Sequence, residues 1–278
     1  MKKPLIILTG PTAVGKTKLS ISLAKAVNGA IISADSMQVY RHMDIGSAKI
    51  RPEEMCGVPH YLIDVLDPSE EFHVVKFVEL AHEAMEKIYA AGQIPIVTGG
   101  TGFYIQALLK EVDFTESHGE LPIRKQLEEK AATEEGAAEL YRELSEVDPA
   151  SAETIHPNNV KRVIRALEYY HETGQKISEH NEEQKQKESP YCSAYFVLND
   201  ERSILYDRID RRVDQMICDG LVDEVFRLKE MGYTRDLVSM QGLGYKELFP
   251  YLAGECTLEE AVYILSLIHI SEPTRLQL

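Results

Sequence analysis

Gly10-Pro11-Thr12-Ala13-Val14-Gly15-Lys16-Thr17 is a glycine-rich segment near the start of the chain, and it identifies the fold class. It matches the pattern G-x-x-x-x-G-K-[ST] and follows the apolar run 5–8, and an amphipathic stretch over 16–27 comes next. Strand, glycine loop and helix are therefore predicted in the order that such a loop needs. Backbone N–H groups of the loop can turn toward a diphosphate, Lys16 can reach its outer oxygens, and the Thr17 hydroxyl can ligate Mg²⁺. The motif predicts a phosphate-binding site and leaves open what happens to the phosphate.

Composition limits the class of protein. The chain has 278 residues, of which 44% are hydrophobic, which is enough for one large α/β domain or one domain with a substantial insertion. The formal net charge of -15 argues against non-specific binding to nucleic acid, so any such role must rest on local basic patches. Four widely spaced cysteines form no C-x-x-C metal site and suit a reducing cytosol. No leader and no membrane-spanning apolar run is evident, so we expect a cytoplasmic protein without membrane association.

Short apolar strands alternate with helical stretches over the first hundred residues. Strands are predicted over 5–8, 30–33, 61–65 and 94–97, and a fifth over 191–198. A long helix is predicted over 74–91, with Gly92 at its carboxyl end. This alternation is typical of an α/β fold whose parallel sheet carries helices on both faces, as in P-loop NTPases.

The character of the chain changes between residues 113 and 189. This region is rich in Glu, Lys, Ala and Gln and holds no convincing strand. We interpret it as a helical insertion, with helices over 123–134, 136–145 and 160–172, inside a core formed by residues 1–112 and 190–265. Two further helices are predicted after the last strand, over 204–219 and 221–231.

Acidic and glycine-rich residues stand near the ends of three predicted strands, with Asp64 on the third strand itself, at the edge where parallel sheets bind ligands. Asp35 follows the second strand, where it could act as a general base, bind Mg²⁺ through water or cap the next helix. Residues 98–102, Thr-Gly-Gly-Thr-Gly, could approach a ligand closely or form a tight turn. Asp64 resembles an acid that reaches the Mg²⁺ shell in P-loop enzymes, although the Asp67-Pro68 pair after it could mark a turn instead.

Two groups of basic residues stand out in this acidic chain. Lys161 and Arg165 share a helical face with Arg162 beside them, which suits clamping of phosphates or of an RNA backbone, or a solvated helix face. Arg208, with two arginines three and four residues later, could bind phosphate oxygens bidentately or pair with neighbouring aspartates. The histidines show no metal-ligand spacing, and we interpret them as structural or surface residues.

Six motifs together make the chain resemble the bacterial tRNA dimethylallyltransferases over nearly its whole length. They are GPTAVGKT at 10–17, ISADSMQVYRHMDIGSAK at 32–49, VPHYLIDVLDP at 58–68, PIVTGGTGFY at 95–104, HPNNVKRVIRALE at 156–168 and MQGLGYKEL at 240–248. The resemblance implies transfer of a dimethylallyl group from dimethylallyl diphosphate to N6 of adenosine 37 in tRNA, with release of diphosphate. In that family the loop holds the diphosphate of the donor.

The resemblance also implies a role for each matched residue. Asp35 would be the general base for the adenine amine, while Lys16, Thr17 with Mg²⁺, and Arg208 would neutralise the leaving diphosphate. The diphosphate would lie on Gly10, Pro11, Thr12, Ala13, Val14, Gly15, Lys16 and Thr17. The implied contacts to the tRNA anticodon stem-loop are Asp35, Ser36, Met37, Gln38, Thr101, Arg124, Asn159, Val160, Lys161, Arg162 and Val163. The insertion would be a tRNA-binding lid. Apart from the resemblance, we expect the protein to be a monomer.

The sequence leaves three alternative functions open. A nucleoside or nucleotide kinase also needs a phosphate loop, an aspartate and a basic lid. Prenyl transfer to a free adenine nucleotide and a non-catalytic, nucleotide-regulated tRNA-binding module are two more. Residues 266–278 depart from the basic helix usual in the family and look like a frameshift or an expression-vector remnant, so we expect weakened tRNA binding relative to full-length relatives.

Overall fold

A computed structural model describes residues 2–112 and 122–275 of the chain. The chain divides into two compact units, which we call the core unit (Met1–Leu109 with Pro190–Leu278) and the helical unit (Lys110–Ser189). Over the described ranges, no helix is long and apolar enough to cross a membrane.

A five-stranded parallel sheet lies at the centre of the core unit. Its strands are β1 (Lys3–Thr9), β2 (Gly29–Ser33), β3 (His60–Tyr61), β4 (Ile94–Gly99) and β5 (Tyr191–Val197), in the spatial order β3-β2-β4-β1-β5. Every pairing between them is parallel, which confirms the predicted α/β class. The central strands are buried on both faces, with Ile7, Ile32 and Ile96 at 0% exposure, and this explains their continuous apolar runs.

The helices before the insertion are α1 (Lys16–Val27), α2 (Val74–Ala90) and α3 (Gly102–Lys110). The α2 prediction is confirmed, because its apolar spacing buries one face, including Phe77, Ala81 and Ile88. The chain leaves α2 through Gly92, whose φ of 69° lies in the left-handed region that glycine adopts without strain.

The described residues of the helical unit form five helices: α4 (Pro122–Lys130), α5 (Glu134–Val147), α6 (Pro149–Thr154), α7 (Val160–Thr173) and α8 (Ile177–Gln186). The three predicted helices are present as α4, α5 and α7, and they pack around buried Leu140, Leu144 and Leu167. The sequence missed α6, which is short, and α8, which is polar. Both depend on the buried carboxylate of Asp148, which accepts hydrogen bonds from the backbone and hydroxyl groups of Ser151 and Ser178.

The core unit continues with α9 (Arg202–Cys218), α10 (Leu221–Glu230), α11 (Leu248–Leu252) and α12 (Leu258–Arg275). The predicted helices over 204–219 and 221–231 correspond to α9 and α10. Residues 266–275, which the sequence sets apart as an atypical tail, continue α12 without a break. Residues 276–278 and 113–121 lie outside the described residues.

The predicted third strand is wrong in its extent. Only His60 and Tyr61 pair with β2, and the backbone then turns at Leu62 and Asp64, whose φ values are 63° and 55°. Positive φ values cannot continue a strand. The backbone N–H groups of residues 64–66 donate to carbonyls of the loop after β2, from 2.8 to 3.2 Å. Pairing with that loop replaces the remainder of the strand.

Candidate functional site

The phosphate loop joins β1 to α1. Gly10 and Gly15 adopt φ values of 150° and 95°, and Gly15 stands directly before the first residue of α1. A Cβ at Gly10 would lie 2.5 Å from the carbonyl oxygen of Leu198, so only glycine fits there. The Lys16 ammonium donates to the carbonyl oxygens of Gly10, at 2.8 Å, and Pro11, at 2.7 Å. A helix N-terminus with a cation folded over the loop is a suitable cradle for an anion.

A cleft beside this loop brings together the predicted groups of three segments. Lys16 and Thr17 contribute from α1, Asp35 and Gln38 from the loop after β2, and Thr98 from β4. The full lining is Lys16, Thr17, Ser20, Ile31, Ser33, Asp35, Gln38, Ile50, His60, Ile63, Thr98 and Gly99. The cleft therefore has polar groups suited to phosphate and proton chemistry and an apolar part formed by isoleucines.

Asp35 is half-buried in the cleft and stabilises its own turn. Its Oδ1 accepts hydrogen bonds from the backbone N–H groups of Met37, at 2.8 Å, and Gln38, at 3.3 Å. No regular helix begins there, so Asp35 caps a turn rather than a helix. Since these bonds use Oδ1, the turn and a chemical role at Oδ2 are compatible. Gln38 is held in turn by Ser33, whose Oγ donates to its Oε1 at 3.0 Å.

The glycine-rich segment at the end of β4 passes directly against the residue before Asp35. A Cβ at Gly99 would lie 2.5 Å from the carbonyl carbon of Ala34, whereas one at Gly100 would meet nothing within 4 Å. Thr101 donates its backbone N–H to Ala34 at 3.4 Å and precedes α3. The segment therefore forms a tight turn, and its backbone lies close to the backbone of Ala34.

Several sequence-predicted residues lie away from the cleft lining. Asp64 pairs with the Lys49 ammonium at 2.5 Å and is not part of the cleft lining, so its role as a metal-binding acid stays a prediction. Arg208 is exposed and pairs with Asp200 at 2.9 Å, after the end of β5. Met37 is half-buried and packs against Gly242 through its sulfur atom, which limits the surface it can offer to RNA.

The predicted RNA-binding residues of the helical unit are placed mainly by α7. Asn159 caps the helix by accepting the backbone N–H of Arg162 at 3.4 Å, and Lys161 and Arg162 are exposed. Val160 is half-buried. Val163 is 1% exposed and belongs to the core of the unit, so its side chain cannot meet RNA at the surface.

Two of the basic side chains in this unit meet one buried carboxylate. Glu168 is 1% exposed and lies 2.9 Å from Arg165 and 3.5 Å from Arg124. Arg124 also pairs with Glu128 at 3.1 Å. The neighbouring cations Lys161 and Arg162 thus remain the exposed part of the predicted basic face.

His60 is a residue of the cleft that sequence reasoning missed. Its Nδ1 lies 2.8 Å from the carbonyl oxygen of Val58, and burial lowers the pKa of the imidazole despite that hydrogen bond. The imidazole is therefore neutral, and its Nδ1 proton is directed to the carbonyl oxygen of Val58. The sequence signal for His60 was its position at the start of an apolar run, because that position places it on β3 beside β2.

Metal ligands supplied by the protein are few. The described residues contain no cluster of three or more His, Cys, Asp or Glu side chains that could hold a metal ion. The cleft instead offers the Thr17 hydroxyl at the start of α1 and the Asp35 carboxylate. Such a set fits Mg²⁺, which keeps several waters and takes most of its other ligands from substrate phosphates.

Comparison with known proteins gives a consistent result. The family model described as IPP transferase matches residues 38–268, and that described as isopentenyl transferase matches residues 3–72. A tRNA dimethylallyltransferase of Lachnoclostridium phytofermentans is 66% identical over 263 residues, covering 95% of this chain and 84% of the relative.

Solved structures resemble the chain over nearly all its length. The full-length tRNA isopentenylpyrophosphate transferase of Bacillus halodurans is 45% identical with a TM-score of 0.72, over 99% of this chain and 85% of that one. A eukaryotic dimethylallyltransferase acting on tRNA is 34% identical with a TM-score of 0.86, over 99% of this chain and 69% of that one.

Proposed function

The chain belongs to the IPP transferase family, and we propose that it transfers a dimethylallyl group to tRNA. The donor we propose is dimethylallyl diphosphate and the acceptor is N6 of adenosine 37. The observation that carries the proposal is the shared cleft, in which a phosphate loop and a carboxylate face one space. A donor and an acceptor can meet there.

The phosphate loop serves the leaving group in this reaction. The bond between C1 of the allyl group and the diphosphate oxygen breaks while C1 bonds to N6, so negative charge grows on the diphosphate. Lys16 and the backbone N–H groups at the start of α1 stabilise that charge. Arg208 acts there by exchanging its partner Asp200 for phosphate oxygens, which its planar fork binds bidentately.

Asp35 takes the proton that N6 loses. An exocyclic adenine amine is a poor nucleophile, and a positioned general base typically contributes about 10²- to 10⁴-fold. The turn made by Oδ1 holds the carboxylate in one orientation, and the proton moves from N6 to this carboxylate as the new bond forms. Preorganisation of this kind costs nothing at the moment of reaction.

The Thr17 hydroxyl would hold Mg²⁺ together with the donor phosphates. When bound, Mg²⁺ supplies positive charge to the leaving diphosphate. Thr17 is exposed at the first turn of α1 and lines the cleft together with Lys16.

The acceptor RNA requires basic contacts because the chain as a whole is acidic. Lys161 and Arg162 are exposed on α7, and we assign them to the phosphate backbone of the anticodon stem-loop. Arg124 and Asn159 are further contacts that the family resemblance implies. Adenosine 37 must leave the loop stack to enter the cleft, which costs a few kcal/mol. The four cysteines are all free thiols, in keeping with a cytoplasmic site of action.

A label-transfer assay tests the function. Labelled dimethylallyl diphosphate and Mg²⁺ are incubated with the protein and either unmodified tRNA or AMP. We expect label in tRNA; label in AMP alone would indicate a free-nucleotide prenyl transferase. ATP-dependent phosphorylation without prenyl transfer would indicate a kinase.

Two substitutions separate the base role of Asp35 from its role in the turn. Asp35→Ala removes both, whereas Asp35→Asn keeps an oxygen that can accept from Met37 and Gln38. We expect both variants to lose about 10²- to 10⁴-fold in turnover while retaining diphosphate binding. Wild-type turnover in Asp35→Asn would contradict the base assignment.

A further inference from the structure

A buried carboxylate outside the cleft holds the loop that follows Asp35. Glu224, on α10, is 2% exposed. It accepts hydrogen bonds from the backbone N–H groups of Asp44, Ile45 and Gly46 at distances between 2.9 and 3.1 Å. The Tyr245 hydroxyl donates a further bond at 2.8 Å. Converging backbone N–H groups are a strong site for an anion, so this carboxylate anchors the loop.

The residues around Glu224 are adapted to this contact. Tyr245 is fully buried, and burial together with the nearby Glu224 carboxylate raises its pKa, so its hydroxyl remains a donor. Gly46 lies against the Tyr245 ring, where a Cβ would be 2.6 Å from the ring carbons. The loop backbone therefore rests on both the ring and the carboxylate, and it can take few other positions.

The anchored segment reaches the cleft through Gln38. The carbonyl oxygens of the two residues after Gly46, Ser47 and Ala48, accept from the Gln38 amide at 3.4 and 3.5 Å. The Gln38 side chain also accepts a hydrogen bond from Ser33, and the Gln38 backbone N–H donates to Asp35. A shift of the anchored segment would thus displace the side chain that lines the cleft beside Asp35.

We propose that Glu224 is a positioning residue for the acceptor side of the reaction. By holding residues 44–46 it sets Gln38 and the Asp35 turn against the incoming adenine. The inference rests on the proposed transfer to tRNA. The hydrogen bonds of Glu224 go to the loop after β2 and to Tyr245, whereas the phosphate loop joins β1 to α1. None of these bonds reaches the phosphate loop, so we expect donor binding to persist without Glu224.

Glu224→Gln tests the proposal, because the amide keeps the size of the side chain but turns an NH₂ group toward backbone donors. We expect kcat/KM for tRNA to fall about 10- to 100-fold, as small misplacements of reacting groups do, with the Kd for dimethylallyl diphosphate unchanged. Glu224→Asp keeps the charge and recovers part of the loss. Tyr245→Phe removes one donor to the same carboxylate and gives a smaller loss of the same kind.

Glu247 provides a matched control. It is also buried, at 6% exposure, but accepts from the backbone N–H of Gly244, at 2.8 Å, instead of the loop. Glu247→Gln keeps wild-type tRNA kinetics. An equal loss in this control would overturn the positioning role, as would a loss of donor binding that matches the loss of tRNA turnover.

Amide hydrogen exchange of the ligand-free protein tests whether Glu224 holds the loop, and it does not depend on the transfer reaction. In Glu224→Gln the amides of 37–38 and 44–46 should exchange faster, and those of α1 should keep their wild-type rates. Unchanged exchange in both loop segments would refute the inference. If wild-type protein transfers no label to tRNA, the proposed function fails, whereas the exchange result still decides whether Glu224 holds the loop.

Discussion

Replacing Gly99 by alanine should displace the backbone of Ala34 and thereby disturb Asp35 in the cleft. The added Cβ would lie 2.5 Å from the carbonyl carbon and 3.0 Å from the Cα of Ala34, and both are backbone atoms. Ordinary contact begins near 3.4 Å, so the two segments must separate by about 0.9 Å. They are tied together, because Ala34 donates its backbone N–H to Thr98 at 2.8 Å.

The expected magnitude follows from that displacement. Overpacking of this kind costs about 1–3 kcal/mol. For a chain of this size a loss of about 2 kcal/mol corresponds to a decrease of roughly 4–8 °C in Tm. Asp35 follows Ala34 directly, and a shift of about 1 Å in a reacting group can cost 10²-fold in turnover.

Thermal unfolding by circular dichroism and the label-transfer assay measure both effects. Gly100→Ala is the matched control, since its Cβ would meet nothing within 4 Å and its φ is not positive. This control should keep its turnover and be as stable as wild type or slightly more stable. Wild-type Tm and turnover in Gly99→Ala, or equal losses in the two variants, would refute the close-contact argument.

Three more predictions concern charges. Lys49→Met removes a buried ammonium that donates to a backbone carbonyl at 2.7 Å and pairs with two aspartates, and it should cost about 2 kcal/mol in chemical denaturation. Lys161→Ala with Arg162→Ala should weaken tRNA binding in a salt titration and reduce the slope of log K against log salt by roughly two, while Lys87→Ala on α2 leaves the slope unchanged. Burial raises the pKa of Asp148, but hydrogen bonds from two serines outweigh it and hold the pKa below its ordinary value. This carboxylate therefore stabilises the fold above about pH 4, and the contribution is lost as the pH falls through the lowered pKa. Asp148→Asn should have a lower Tm at pH 6 than wild type and a shallower decline toward pH 3, whereas parallel curves would contradict the assignment.

Local patterns predicted much of the architecture. The loop at 10–17, the strands around it and the period of α2 and α7 depend on neighbouring residues, whose spacing the sequence displays directly. The same reasoning failed where partners are distant. The strand predicted over 61–65 stops after Tyr61, because residues 64–66 pair with the loop after β2.

The roles assigned to individual site residues remain predictions, but their placement differs in ways that the sequence could not display. Asp35 and Asp64 both follow short apolar runs, yet of the two only Asp35 lines the cleft, whereas Asp64 pairs with Lys49. Val163 sits between candidate RNA-binding residues and is buried, because α7 turns that position inward.

The phosphate-binding loop at the start of a parallel α/β sheet is predictable from the sequence, since a glycine-rich turn between strand and helix encodes its own conformation. Which carboxylate shares the cleft with that loop, and which residues hold it there, became visible in the folded chain. Glu224 binds a segment about 180 residues away from it in the chain. Such a contact depends on how distant elements pack, and no local period or spacing records it.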